Sequence, residues 1–182
     1  QLTRQGHHIT LFERDKIQHR GNNGHAAAYT AAGMLTPFSE ADGADELIVS
    51  LGQHALNLWP SIVASLKTDV DFQRNGSLIL AHKNDHADLL NFRQHVARLP
   101  ITREKVQHLN KSELIAMHNE LGNCFNGASY IADEAWISPP LVMAALADQL
   151  EKHGAELIEQ VPIKTVEAGI VASETKQWAF EQ

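Results

Sequence analysis

Gln1-Leu2-Thr3-Arg4-Gln5-Gly6, followed after His7 by His8-Ile9-Thr10-Leu11-Phe12-Glu13, is the stretch on which the fold turns. The first six residues read as the last turn and a half of a helix. Leu2 is its expected core contact, Arg4 complements the C-terminal end of the helix dipole, and Gly6 stops it. The next six form a short β-rich run closed by an acidic residue, with His7-His8 spanning the turn. A helix already ending at the first residue, with no initiator Met, predicts that an upstream segment is missing from this chain.

Working outward, Arg14 to His25 is polar and rich in Gly and Asn, a loop. Ala26 to Met34 is a run of small residues ending at Gly33. From Asp45 to Leu66, Ile48, Leu51, Ala55, Leu58, Ile62 and Leu66 follow helical spacing, and Pro60 predicts a kink or a break into two helices. Asp42, Asp45 and Glu46 are acids suited to that helix's N-terminus. Asn75-Gly76 between Val70–Gln73 and Ser77–Ala81 predicts a hairpin. Helices are expected over Asp85–Leu99 and Lys111–Leu121, and another starts at Pro139-Pro140 and stops at Gly154. Ala128–Ala132 and Ala135–Ser138 read as extended. Glu156–Glu159, Ile163–Glu167, Ile170–Ala172 and Gln177–Phe180 read as successive short strands.

The pattern describes an α/β chain with two interleaved domains. A nucleotide-binding, Rossmann-like domain occupies residues 1–66 and 150–182, incomplete as it stands, and an α+β substrate-side domain (hairpin plus helices) spans 67–149. The His8–Glu13 strand is assigned to a parallel sheet, so residues 1–182 by themselves are expected to leave strand edges uncovered and to lack turnover.

Composition narrows the class. The 182 residues are 43% apolar and 20% charged, ordinary for a globular protein. Fifteen Lys and Arg against 22 Asp and Glu give a net charge of -7, which argues against a nucleic-acid footprint. Ala26–Leu35 and Leu141–Ala147, the longest low-polarity stretches, fall far short of the ~20 residues of a membrane span. The single Cys124 cannot form an internal disulfide. A reducing cytoplasm is therefore the expected compartment, with Cys124 a buried or half-buried structural thiol. Eleven His residues include His82 and His86 at i,i+4, but His82 precedes the helix and no third ligand is suitably spaced, so no metal site is assigned. Trp59, Trp136 and Trp178 are too dispersed for an aromatic cage and read as core or interface anchors.

In dinucleotide-binding folds the strand after the glycine-rich turn ends in an acid about 20 positions on, where a carboxylate accepts from two vicinal ribose hydroxyls. Glu13 stands at such a strand end. On its own, the same residue reads first as a solvated strand-end carboxylate. The run from Ala26 to Leu35 has too little side-chain volume to keep a backbone at a distance from a ligand, and its amides suit a phosphate. It also reads as a helix tightly packed on a sheet.

Taken together, Phe12-Glu13-Arg14, Ala31-Ala32-Gly33-Met34-Leu35, Gln73-Arg74-Asn75-Gly76-Ser77-Leu78, Gly127-Ala128-Ser129-Tyr130-Ile131 with Asp133 and Ile137-Ser138-Pro139, and Val161-Pro162-Ile163-Lys164-Thr165-Val166 resemble, in order and spacing, the FAD-dependent glycine oxidases of the D-amino-acid oxidase family. The resemblance runs from Gln1 to about Glu167. It implies FAD as cofactor, with Glu13 at the adenosine ribose and Arg14 beside it. Ala27 and Ala28 would lie toward the pyrophosphate. Ala32, Gly33 and Met34 would pass the isoalloxazine, and Ile163 would hold the adenine through its backbone. Ala28 stands where relatives often carry a hydroxyl, so only its backbone serves there.

The implied reaction is oxidation of glycine or another small amino acid or amine at the C–N bond by hydride transfer to flavin. The imine is then hydrolysed and O2 is reduced to H2O2, with thiamine biosynthesis as the setting the resemblance implies. No catalytic residue is assigned, because the family's substrate-binding Arg and Tyr belong to the later half of such proteins. Within the family, D-amino-acid dehydrogenase, sarcosine oxidase and a tRNA-modifying oxidase domain are alternatives, the acidic charge speaking against the last. Outside it stand a nicotinamide-dependent dehydrogenase and a non-catalytic remnant or nucleotide-binding module. The expected partners are a small amino-acid or amine substrate and O2, with a homo-oligomer possible.

Overall fold

The computed structural model describes residues 1–17 and 26–181, so positions 18–25 of the expected Arg14–His25 loop lie outside the described residues. In chain order the strands are β1 (Thr10–Phe12), β2 (Met34–Leu35), β3 (Ser77–Leu80), β4 (Gln107–Asn110), β5 (Gly127–Ile131), β6 (Ala135–Trp136), β7 (Glu156–Ile158), β8 (Thr165–Glu167), β9 (Ile170–Ala172) and β10 (Gln177–Ala179). The α-helices are α1 (Glu46–Leu66), α2 (His86–Arg98), α3 (Pro100–Arg103), α4 (Lys111–Met117), α5 (Leu121–Cys124) and α6 (Pro139–Lys152). Short 3-10 turns cover Leu2–Gln5, Ala27–Tyr29, Ser39–Ala41 and Lys83–Asp85.

Two compact units result, one of Gln1–Ala32 with Pro139–Gln182 and one of Gly33–Ser138. In the first, the opening turn ends at Gly6 in the left-handed region, φ 88°, and the N–H groups of Gly6 and His7 close it on the carbonyls of Thr3 and Leu2 at 3.1 and 3.2 Å. Leu2 is 55% exposed rather than a core contact, because the single 3-10 turn buries none of its residues. Strand β1 then pairs in parallel with β7, Leu11 opposite Leu157. The intervening α6 has Val142, Ala145 and Ala147 buried. Its Pro-Pro start and the left-handed Gly154 (φ 76°) just beyond its end match the sequence reading. The tail forms the antiparallel meander β8-β9-β10, and Trp178 of β10 meets Phe12 edge-on at 4.8 Å.

In the second unit, the three-stranded antiparallel sheet β3-β5-β4 is covered on both faces. Leu89, Phe92 and Val96 of α2 pack with Ile131, Val49, Leu56 and Phe38 on one side. Leu114 of α4 packs with Ala128 and Leu109 on the other. Helix α4 begins in a reciprocal cap: Asn110 Oδ1 accepts from the Ser112 and Glu113 amides (2.9 and 3.1 Å), and Glu113 accepts from the Asn110 amide (2.7 Å).

Four expectations are corrected here. Pro60 does not split α1, which runs unbroken from Glu46 to Leu66. The buried Val49 and Leu56 before the proline and Leu66 after it hold both halves in place despite the lost backbone bond. Of the expected face, Leu66 is buried and Ile62 half-buried, but Ile48 60%, Leu51 56% and Leu58 42% are exposed, and Val49 and Leu56 are buried in their place. The apolar residues form a wide arc opposite Glu46, Ser50, Gln53 and Asn57, and packing uses one edge of that arc, which spacing alone does not select. The Asn75-Gly76 hairpin is absent: β3 pairs with β5, whereas Gln73 exchanges two 2.8 Å bonds with Trp136 and Val70 accepts from Ser138. The chain does not reverse at Asn75-Gly76: Gly76, at φ 80°, donates its N–H to Glu134 O at 3.0 Å, and residues 70–80 run on antiparallel to residues 138–128. Cys124 is exposed, on a short helix that directs Gly122 inward instead.

Candidate functional site

Strand β1 continues into Glu13, whose backbone stays in register: its N–H donates to Ile158 O at 2.9 Å and its C=O accepts from Val161 N at 3.0 Å. The Gln160 N–H reaches Asp15 O at 3.2 Å, so residues 13–15 and 160–161 run side by side. One carboxylate oxygen of Glu13 accepts from the Asp15 amide at 2.9 Å, and the other has no partner among the described residues. Arg14 is largely exposed and pairs with Asp15 at 3.2 Å.

Gln160 turns the chain with φ 59°, and Ile163 follows as a half-buried residue outside any strand. The bonds on either side of it are made by Val161 N and Lys164 N, the latter to Ala172 O at 2.8 Å. Among the described residues, the Ile163 N–H and C=O carry no backbone partner, leaving one donor and one acceptor open side by side. Beside this strip, Gln160, Val161, Pro162, Lys176 and Trp178 line a cleft of about 280 Å³.

The small-residue run is not a packed helix. Ala27–Tyr29 is a single 3-10 turn packed on α6, with Thr30 donating back to Ala27 O. Ala27, Ala31 and Ala32 are exposed, and Ala28 is half-buried. The next residue, Gly33, belongs to the second unit and takes φ 78°, a conformation that favours glycine. From there β2 pairs antiparallel with β6, Met34 opposite Trp136 and Leu35 opposite Ala135, and Met34 is 59% exposed.

The structure thus brings Glu13 and Arg14 alongside the strip leading to Ile163 in one unit. Ala27, Ala28 and Ala32 lie elsewhere in that unit, and Gly33 with Met34 forms a strand end in the other. Immediately after Met34, a hollow of about 360 Å³ is lined by Leu35, Thr36, Pro37, Glu40 and Trp59 with the inner side of α1. Its polar edge is Thr36, whose hydroxyl donates to Glu40 at 3.1 Å.

Sequence reasoning missed Glu134. Its side chain is fully buried, and it accepts from the Phe38 and Ser39 amides (2.9 and 2.7 Å) and from the Ser39 hydroxyl (2.5 Å). The signal was a carboxylate set in the apolar context of Ile131 to Ile137, immediately after the quoted Asp133. Asp133 itself turns outward to Lys105 at 2.6 Å, and that hydrogen bond holds its carboxyl below the usual range, helped by the charges of Lys105 and Arg74. Arg93 was also missed. It crosses from α2 to donate to Ser129 Oγ (3.0 Å) and Ala128 O (2.8 Å), and burial lowers its pKa. Burial and the nearby Arg93 charge lower that of His108. Among the described residues, no cluster of three or more potential metal ligands forms, and no helix is long and apolar enough to cross a membrane.

Comparison with known proteins places these features in context. The profile of the DAO family, described as FAD dependent oxidoreductase, matches residues 1–180. A Rhizobium etli protein named as a thiamine biosynthesis oxidoreductase, ThiO, is 31% identical over 151 residues, covering 83% of this chain and 41% of that protein. Glycine oxidase of Geobacillus kaustophilus is 30% identical over 168 residues, 90% of this chain and 42% of its own length. The crystal structure of the glycine oxidase from Geobacillus kaustophilus superposes with a TM-score of 0.80 at 28% identity, over 98% of this chain and 48% of that one. The chain therefore spans less than half the length of the relatives it matches.

Proposed function

The chain belongs to the FAD dependent oxidoreductase family, and we propose that it forms part of an enzyme oxidising the C–N bond of glycine or a similarly small amino acid or amine to the imine. In this reading the two electrons pass to FAD and on to O2, with H2O2 released. The observation that carries it is the pairing of Glu13 with the strip that ends at Ile163 (Val161 N to Glu13 O, 3.0 Å). Among the described residues, one carboxylate oxygen and one backbone donor–acceptor pair are left open in the same unit, as a ribose and a purine edge require.

The residues present fit FAD. Glu13 would take the ribose hydroxyls with Arg14 beside it, and the Ile163 N–H and C=O would hold the adenine. The backbone of Ala27 and Ala28 would serve the pyrophosphate side, the absence of bulk there leaving an exposed surface. Ala32, Gly33 and Met34 would meet the isoalloxazine. Bound FAD supplies the two-electron acceptor. What these residues contribute is orientation, and the hollow beginning at Leu35 offers the substrate side a largely apolar wall. The unit of residues 1–32 and 139–182 is then the FAD-binding part and the unit of 33–138 the substrate-side part. A place in thiamine biosynthesis and assembly as a homo-oligomer belong to the same proposal.

The test is peroxide release by the FAD-loaded protein with glycine, sarcosine and small D-amino acids, beside a visible spectrum with the flavin band near ~450 nm. Turnover of glycine or sarcosine with O2 supports the reading. Rates only with a quinone acceptor would assign a dehydrogenase instead, and turnover only of bulky amines would remove glycine as substrate.

A further inference from the structure

We propose that Glu134 is a positioning residue for the flavin ring, setting the path of the Gly33–Pro37 backbone through a buried three-donor anchor. The proposal rests on the reading of Gly33 and Met34 as isoalloxazine contacts. A fully buried carboxylate needs donors, and all three that Glu134 receives come from one place, the Phe38-Ser39 turn that follows β2. The other end of the same stretch is held by the residues next to Glu134. Ile137 N–H donates to Gly33 O at 3.0 Å, and Met34 and Leu35 pair with Trp136 and Ala135. Residues 134–137 thus grip the chain at Gly33–Leu35 through backbone and at Phe38-Ser39 through one carboxylate.

The two neighbouring acids are divided between surface and interior. Asp133 is spent on Lys105 at the surface, whereas Glu134 faces only the turn. The Glu134 carbonyl is itself fixed, accepting from Gly76 N at 3.0 Å, so the anchor does not drift with its own loop. Between the two grips, Met34 is left 59% exposed on a strand whose backbone cannot shift without breaking one of them. Sites that meet a cofactor need tolerances of about 0.5 Å, and such tolerances are met by a supporting shell of this kind.

The experiment compares Glu134→Leu, Glu134→Gln, Ser39→Ala and Met34→Gln in the FAD-loaded protein. It reads the visible absorption and circular dichroism of the flavin, FAD affinity, and thermal unfolding of the FAD-free form. Glu134→Gln keeps an acceptor for both amides and an N–H for Ser39 Oγ, and should retain the wild-type flavin bands. Glu134→Leu should shift the bands and weaken FAD by about tenfold through three lost bonds. Should Glu134→Leu fail to fold, Ser39→Ala, which removes one bond of the three, must give a smaller shift in the same direction. A folded Glu134→Leu, or Ser39→Ala alone, with unchanged bands while Met34→Gln shifts them would reduce Glu134 to a purely structural group and overturn the proposal. Glu134→Gln behaving like Glu134→Leu would overturn it too, since acceptor geometry would then not be what matters. Unchanged bands in Met34→Gln as well would sink the isoalloxazine reading itself, and this inference with it.

Discussion

Strands β5 and β1 are both short apolar runs, yet they stand in different circumstances. Strand β5 lies between β3 and β4, with α2 over one face and α4 over the other, and its Ala128, Ser129 and Ile131 are fully buried. Strand β1 pairs only with β7 among the described residues, and none of its residues is fully buried. The first is placed by packing. The second carries, at its end, a carboxylate with an oxygen to spare. Substitutions should therefore register as lost stability in the unit of β5 and as lost ligand affinity at the end of β1.

The largest effect that could break this contrast is at Ile131. Ile131→Ala should cost about 2–5 kcal/mol by leaving a cavity between α2 and the sheet. Leu11→Ala on half-buried β1 should cost visibly less in the same urea titration. Equal losses would mean that β1 is as deeply packed as β5.

Next is Gly76, at φ 80°, where a Cβ would stand 2.7 Å from the Ile131 carbonyl oxygen. Gly76→Val should lower stability by about 1–3 kcal/mol through backbone strain alone, with the clash adding to it. A thermal midpoint unchanged from wild type would show that the close approach of Gly76 to Ile131 does not hold β3 onto β5.

At the end of β1 the expected readout changes. Glu13→Ala should weaken FAD retention by roughly 1–3 kcal/mol, the value of hydrogen bonds to a charged acceptor. Its unfolding midpoint should move little. Equilibrium dialysis against FAD tests this, and unchanged affinity removes Glu13 from the site.

The smallest effect concerns Asp133, whose folded-state pKa lies below its unfolded one. Its bond to Lys105 stabilises the fold at neutral pH. That contribution is lost as pH falls below the ordinary carboxylate range and through the depressed folded value. Both side chains are more than one-third exposed, so the whole effect should stay under about 1 kcal/mol and shrink with salt. Asp133→Asn should flatten the acid limb of a stability–pH curve by that amount. A limb as steep as in wild type would place the acid sensitivity elsewhere.

Features written in neighbouring residues were legible before the fold was known. The Pro139-Pro140 start, the stops at Gly6 and Gly154, and the short strands of the tail all depend on side chains and dihedrals a few positions apart. So did the strand ending at Glu13, because a β-rich run closed by an acid is a local pattern. The family likeness came from five such patterns in order.

What only the tertiary structure decided was partnership and side. Asn75-Gly76 reads locally as a hairpin turn, but the chain runs straight through it, and both Val70–Gln73 and β3 bond the distant stretch 128–138, a choice that depends on which surfaces α2 and α4 cover. Helix α1 has a wide apolar arc, so which edge of it is buried, and its passage through Pro60, were set by the packing of Val49, Leu56 and Leu66. The exposure of Cys124 and Leu2 follows from how short their helices are. Glu134 shows the distinction most directly. In the sequence it is one acid beside another. Folding brings Phe38 and Ser39 to it across 96 and 95 positions, and burial leaves its carboxylate oxygens no solvent, with these the donors they find among the described residues.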